Sequence, residues 1–197
     1  MNIIKSFSLI SISCALVLSA SAAKSTQMME AKNVAKSSAK LLLQTLGKNM
    51  KMNMKKGGPL QALDFCSNQA YTLTEEVNSK LPQGVTVKRI SSQQRNPLNK
   101  PTKEESEVLA TFKKSLKKEG KVSPVIIKNA ANDTYTFYKP LIIKKQVCLK
   151  CHGTLAEGKL KSEIQNRYPH DKAMGYKMGD LRGAVVVKVD SSFKATK

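Results

Sequence analysis

The sequence predicts an α+β fold, with helices first and a small antiparallel sheet after them. Three observations carry this. Residues 26–56 are rich in Ala, Lys, Leu and Met, which favour helix. From Leu60 to Val77, apolar residues recur at steps of three and four, as on one face of a helix. Beyond residue 84 the pattern changes to short alternating or β-branched runs separated by turn residues.

The first element is an export signal. Lys5 supplies a positive start, and Phe7 to Leu18 is an apolar core of about 12 residues. Small residues follow, Ser19-Ala20-Ser21-Ala22-Ala23, with cleavage expected near Ala22 or Ala23. The core is too short for a bilayer, which takes roughly 20 residues, and no later segment is long and apolar enough to span one. Cys14 lies in this core and leaves with the signal. The expected organisation is a cleaved signal over 1–22 and one domain over 23–197. The mature chain of about 175 residues has room for a single core.

The helix-favouring run is broken by Gly57-Gly58, and Pro59 suits the first turn of a second helix. Leu60, Leu63, Cys66, Ala70, Leu73 and Val77 form its apolar face, which ends near Leu81-Pro82. Cys66 sits in the middle of this stripe. Residues 84–91, GVTVKRIS, read as a strand, and 91–101, SSQQRNPLNKP, as a polar loop. Thr102 with Glu105 forms a capping box that opens a third helix. Val108, Leu109, Phe112 and Leu116 are its apolar face, and Gly120 stops it. SPVIIKN and DTYTFYKPLII read as a hairpin joined near Asn132-Asp133. A short helix over Leu160–Arg167 and the turn-rich GYKMGDLRG lead to a last strand, AVVVKVD.

Between hairpin and short helix lies KKQVCLKCHGTLAEG, residues 144–158. Its Cys148-Leu149-Lys150-Cys151-His152 core has the spacing of a haem c attachment site. Two intervening residues let both thiols reach the haem vinyl groups, and the following histidine becomes the proximal iron ligand. A zinc site would use Cys148, Cys151 and His152 with Cys66 as fourth ligand, but zinc ribbons bring a second close Cys pair and this chain has none. A redox dithiol would use the two cysteines alone, and such dithiols tend to open a helix after a strand. One covalent haem c, between helix and sheet, is therefore the expected cofactor.

The distal ligand stays open on pattern alone. His170 is the only other histidine, with Met174 and Met178 near it in YPHDKAMGYKMGDLRG. A downstream methionine is the ordinary arrangement in cytochromes c and raises the potential. Cys66 is the third option, against its reading as a small buried hydrophobe. Three cysteines remain after processing, and Cys66 is the odd one. Arg89 and Arg95 are candidates to pair with haem propionates, with support of the loop as the alternative for Arg95. Asn96 and Asn99 suit the turn itself. Tyr138 and Tyr168 are candidates to pack on the haem edge.

The net charge is +20, falling to +19 once Lys5 leaves with the signal. Lysines are spread along the chain, at Lys48, Lys51, Lys55 and Lys56, at Lys113, Lys114, Lys117 and Lys118, and at Lys144 and Lys145. A solvated lysine coat accounts for them, and an acidic redox partner is the functional reading. Export to the periplasm argues against nucleic acid. The sequence sets no oligomeric state.

Several stretches in order, ALDFCSNQA (62–70), VKRISSQQRNPLNKPTKEE (87–105), YTFYKPLIIKKQVCLKCHG (135–153), YPHDKAMGYKMGDLRG (168–183) and AVVVKV (184–189), resemble the DUF3365, or Tll0287-like, haem domain family. The resemblance covers roughly residues 35–190. It implies a PAS-like fold, with a long N-terminal helical part packed on an antiparallel sheet that cradles haem c. It also implies axial ligation by the histidine of CxxCH, His152, and by the cysteine of ALDFCSNQA, Cys66. Family members occur alone or as sensory input domains ahead of kinases.

These readings give a soluble monohaem c-type cytochrome. It is expected to be a redox or gas sensor, with a periplasmic electron carrier as the second class. A peroxidase-like enzyme is the third. It would need an open iron and a distal acid/base group, for which the sequence offers only His170. No catalytic residue is expected.

Overall fold

The computed structural model describes residues 13–194, with side chains from residue 25 onward. The expected signal peptide over 1–22, Cys14 included, lies outside the residues whose side chains are described. Among the described residues no helix is long and apolar enough to cross a membrane.

Helix α1 (Ser13–Asn68) carries a buried stripe of Ala31, Ala35, Ala39, Leu42 and Leu46. Its three alanines let the helix backbone approach the sheet closely. The helix is interrupted at Gly57-Gly58, where Gly58 has φ 67° and ψ −157°. That left-handed φ favours glycine, and Pro59 then cannot donate to the preceding turn. The helix resumes over residues 59–68 and buries Ala62, Leu63 and Phe65.

The second predicted helix is not continuous. Gln69, at φ −122°, separates the end of α1 from α2 (Ala70–Asn78), although Gln69 N–H still donates to the Phe65 carbonyl at 2.9 Å. The helix also stops earlier than Leu81. The Asn78 amide accepts from Val87 N–H at 2.7 Å and donates to the Val87 carbonyl at 3.1 Å. These bonds satisfy the open edge of a strand with helix-end chemistry, which pattern reading does not register.

Strand β1 (Val85–Ile90) is that edge. A short 3₁₀ turn (Pro97–Asn99) and helix α3 (Lys103–Glu119) follow. The predicted capping box is present: Glu105 N–H donates to Thr102 Oγ1 and Thr102 N–H to Glu105 Oε2. Strands β2 (Val125–Asn129) and β3 (Thr134–Ile142) form the hairpin. Helices α4 (Gln146–His152) and α5 (Lys159–Arg167) and strand β4 (Leu181–Val189) complete the chain. The sheet is antiparallel, with order β1-β4-β3-β2. The last strand in sequence is thus central in space, and it is the most buried.

The sheet separates two cores. Val85, Val87, Tyr135, Phe137, Val185, Val187 and Val189 face α1 and α2. Ile90, Tyr138, Ala184 and Val186 face Leu109 and Phe112 of α3. The expected α+β class and antiparallel sheet are what the chain forms.

Candidate haem site

Helix α4 carries Cys148, Cys151 and His152, in a segment whose sequence pattern predicts no helix. Three residues separate it from β3, so the pair does open a helix after a strand. That placement also suits a redox dithiol.

The residues around α4 enclose a cavity of about 270 Å³. Cys148, Cys151 and His152 form one wall. Cys66 enters from residues 59–68 of α1, and Tyr168 from the end of α5. Arg89 comes from β1 and Arg95 from the polar loop. Arg182 reaches in from β4, where the register slips: Leu141 pairs with Gly183 and Ile142 with Leu181. Arg182 is the extra residue of this bulge, and bulges re-aim side chains.

His152 is oriented by a relay of bonds. Its Nδ1–H donates to the Ala173 carbonyl at 2.8 Å, which leaves Nε2 with the lone pair. Ala173 N–H donates to Asp171 Oδ1 at 2.8 Å, and Asp171 Oδ2 accepts from Arg95 Nε at 3.1 Å. A guanidinium nitrogen of Arg95 also donates to the Cys151 carbonyl at 2.7 Å. Tyr176 packs edge-on against the imidazole, with centroids 6.3 Å apart. Burial, with the Arg182 and Arg95 charges, lowers the His152 pKa to about 3. The imidazole is therefore neutral and able to ligate.

The cavity is strongly cationic. Arg95 is paired with Asp171 at 3.0 Å. Among the described residues neither Arg89 nor Arg182 has a carboxylate within ion-pair distance. Burial pushes both guanidiniums below their ordinary pKa. Arg182 donates to Ser91 Oγ at 2.7 Å and to the Gln93 carbonyl at 3.2 Å, and stacks over Tyr176. Arg89 Nε is buried with no partner. Burial also raises the Cys66 and Cys151 thiols, while nearby arginine charge lowers them.

A family model for the Tll0287-like proteins matches residues 20–190. The chain belongs to the Tll0287-like family. Among solved structures, the crystal structure of the cyanobacterial heme-protein Tll0287 is similar at a TM-score of 0.51 and 23% identity, covering 64% of this chain and 72% of that one. That likeness shows a shared fold. No curated protein matches.

In this Tll0287-like chain the sequence-derived site residues divide clearly. Cys66, Cys148, Cys151, His152, Arg89, Arg95 and Tyr168 converge on one cavity. Tyr138 does not: it lies on the opposite sheet face, against α3, because strand alternation points it away. His170 and Met178 are exposed, and half-buried Met174 does not line the cavity. The turn 168–180 braces α4 from outside with backbone bonds such as Tyr176 N–H to the His152 carbonyl at 2.9 Å. Arg95 is committed to holding Asp171 and the α4 backbone, so loop support describes it better than an anion clamp. Asn96 accepts from Leu98 N–H and holds the turn as expected. Arg182, Met50 and Met54 were missed, since neither bulge nor cavity is visible in pattern.

Asp171→Asn is expected to cost roughly 3 kcal/mol, because it leaves Arg95 buried without its counter-charge. A urea unfolding midpoint within error of wild type would contradict this account.

Proposed function

We propose that this chain is a periplasmic monohaem c-type cytochrome with His152 and Cys66 as axial iron ligands, acting as a redox or gas sensor rather than an enzyme. The observation that carries the reading is the cavity itself. It joins the CxxCH helix to a sulfur donor from a distant segment, beside a guanidinium with an orphaned buried nitrogen.

The residues fit the group. Cys148 and Cys151 would carry the thioethers, and His152 Nε2 is free to bind iron because Nδ1–H is held by Ala173. Arg89 and Arg182 are two half-buried cations without carboxylate partners, and the Arg89 Nε is fully buried and unpartnered, which suits the two propionates of haem. Tyr168 covers one side of the cavity. A dithiol exchange site or a zinc site would leave these arginines without purpose. When bound, haem supplies a one-electron couple and, if a ligand leaves, a position for a diatomic gas.

The sensor reading rests on where Cys66 stands. Its segment is a short arm of α1 bounded by the Gly58 kink and the Gln69 break. The heme-protein Tll0287 shares this fold, which supports haem as the ligand. The carrier reading is favoured by Lys144, Lys145 and Lys150, exposed on and beside α4, where an acidic redox protein would dock.

Ferric EPR of wild type and Cys66→Ser tests the ligand set. Wild type should give a low-spin thiolate spectrum and the variant should lose it. An unchanged low-spin signal in the variant would remove Cys66 from the iron. CO binding to the reduced protein is expected for a gas sensor, and salt-dependent electron exchange with an acidic partner for a carrier.

A further inference from the structure

The ligand set proposed above leaves the two methionines of the cavity wall without a task. Met50 and Met54 lie on α1 before the Gly58 kink, one turn apart, and both line the cavity with Cys66 and His152. Half-buried, they follow on the same helix from the buried stripe of α1, which is Ala and Leu where it crosses the sheet, at Ala31, Ala35, Ala39, Leu42 and Leu46. The stripe changes to methionine only where it passes the cavity. Methionine fills irregular gaps well, and packing alone would use it so. A thioether is also a ligand for haem iron.

We propose that Met50 or Met54 replaces Cys66 as the sixth ligand when the iron is reduced. The inference rests on the haem c reading above. An anionic thiolate favours ferric iron, whereas a neutral thioether favours ferrous iron and raises the potential. A one-electron donor, another haem protein or dithionite in the test, supplies the electron. Cys66 Sγ would leave with the bonding electron pair and take a proton from water. A lone pair of the methionine Sδ would supply the new bond in its place. Reoxidation reverses each change. Cys66 and the two methionines stand on opposite arms of the kinked α1, so the exchange trades one arm of the helix for the other at the iron.

Met50→Leu, Met54→Leu and the double variant test this, since Met to Leu conserves volume. The dithionite-reduced wild type should be six-coordinate and low-spin, with the strongly upfield methyl resonance of an iron-bound thioether in NMR. One single variant and the double variant should lose that resonance, and their reduced iron should turn five-coordinate and high-spin. Their ferric EPR should keep the thiolate signature, which also shows that the fold is intact. A reduced wild type without the shifted methyl overturns the exchange, as does a double variant with unchanged reduced spectra. A wild-type ferric spectrum without thiolate overturns the ligand set itself, and the exchange with it.

Discussion

Replacing Cys148 and Cys151 together by serine is expected to take covalent haem from one per chain to none. The thioether bonds are the only covalent link proposed, and serine adds no sulfur. Wild type from an export-competent host with haem c maturation should show the mass of the processed polypeptide plus one haem, and its pigment should stay with the protein in acidified acetone. The double variant should show the polypeptide mass alone. Single variants should retain one thioether. The loss should also destabilise the fold, because a group that binds only the folded state stabilises it. Without that group, the Arg89 and Arg182 charges and the His152 imidazole line a cavity that must fill with water or collapse. A wild-type mass equal to the bare polypeptide would sink the haem c reading.

Gly183→Ala is expected to be the most damaging single methyl in the chain, costing about 3 kcal/mol or more. Gly183 follows the bulged Arg182 in the central strand and has φ +155°. A Cβ there would come 2.1 Å from the Ile90 carbonyl oxygen. That oxygen belongs to the neighbouring strand backbone and has no rotamer to escape into. At roughly 2–4 °C per kcal/mol for a domain of this size, the melting temperature should fall by about 6–12 °C. Gly47→Ala is the control: it is exposed on α1, a Cβ there meets nothing within 4 Å, and alanine should stabilise the helix slightly. Equal melting temperatures for the two variants would refute the close approach. Because Arg182 precedes Gly183, the variant should also disturb the cavity.

Much of the fold was legible because its signals are local. The capping box at Thr102 and Glu105, the break at Gly57-Gly58 and the hairpin turn near Asp133 each depend on a few contiguous residues and their backbone preferences. The helix on the CxxCH motif was not legible. Seven residues are too few for helical periodicity to register, and α4 is held instead by the Ala173 carbonyl, Arg95 and the 168–180 turn. The stop of α2 at Asn78 escaped for a related reason, since its cause is a pair of bonds to an edge strand.

Local residue pattern alone reads out the chemistry at one end of the site: a CxxCH segment, a thiol on an apolar helical stripe, and a cationic chain. It also determined the α+β class, because hydrophobic period and turn chemistry are written in neighbouring residues. Which side chains meet depends on sheet order and packing. Strand alternation turned Tyr138 away, a bulge turned Arg182 inward, Asp171 claimed Arg95 and left Arg89 open, and the kink in α1 brought Met50, Met54 and Cys66 to one cavity. These outcomes follow from sheet order and packing summed over many distant residues, and no window of sequence contains that sum.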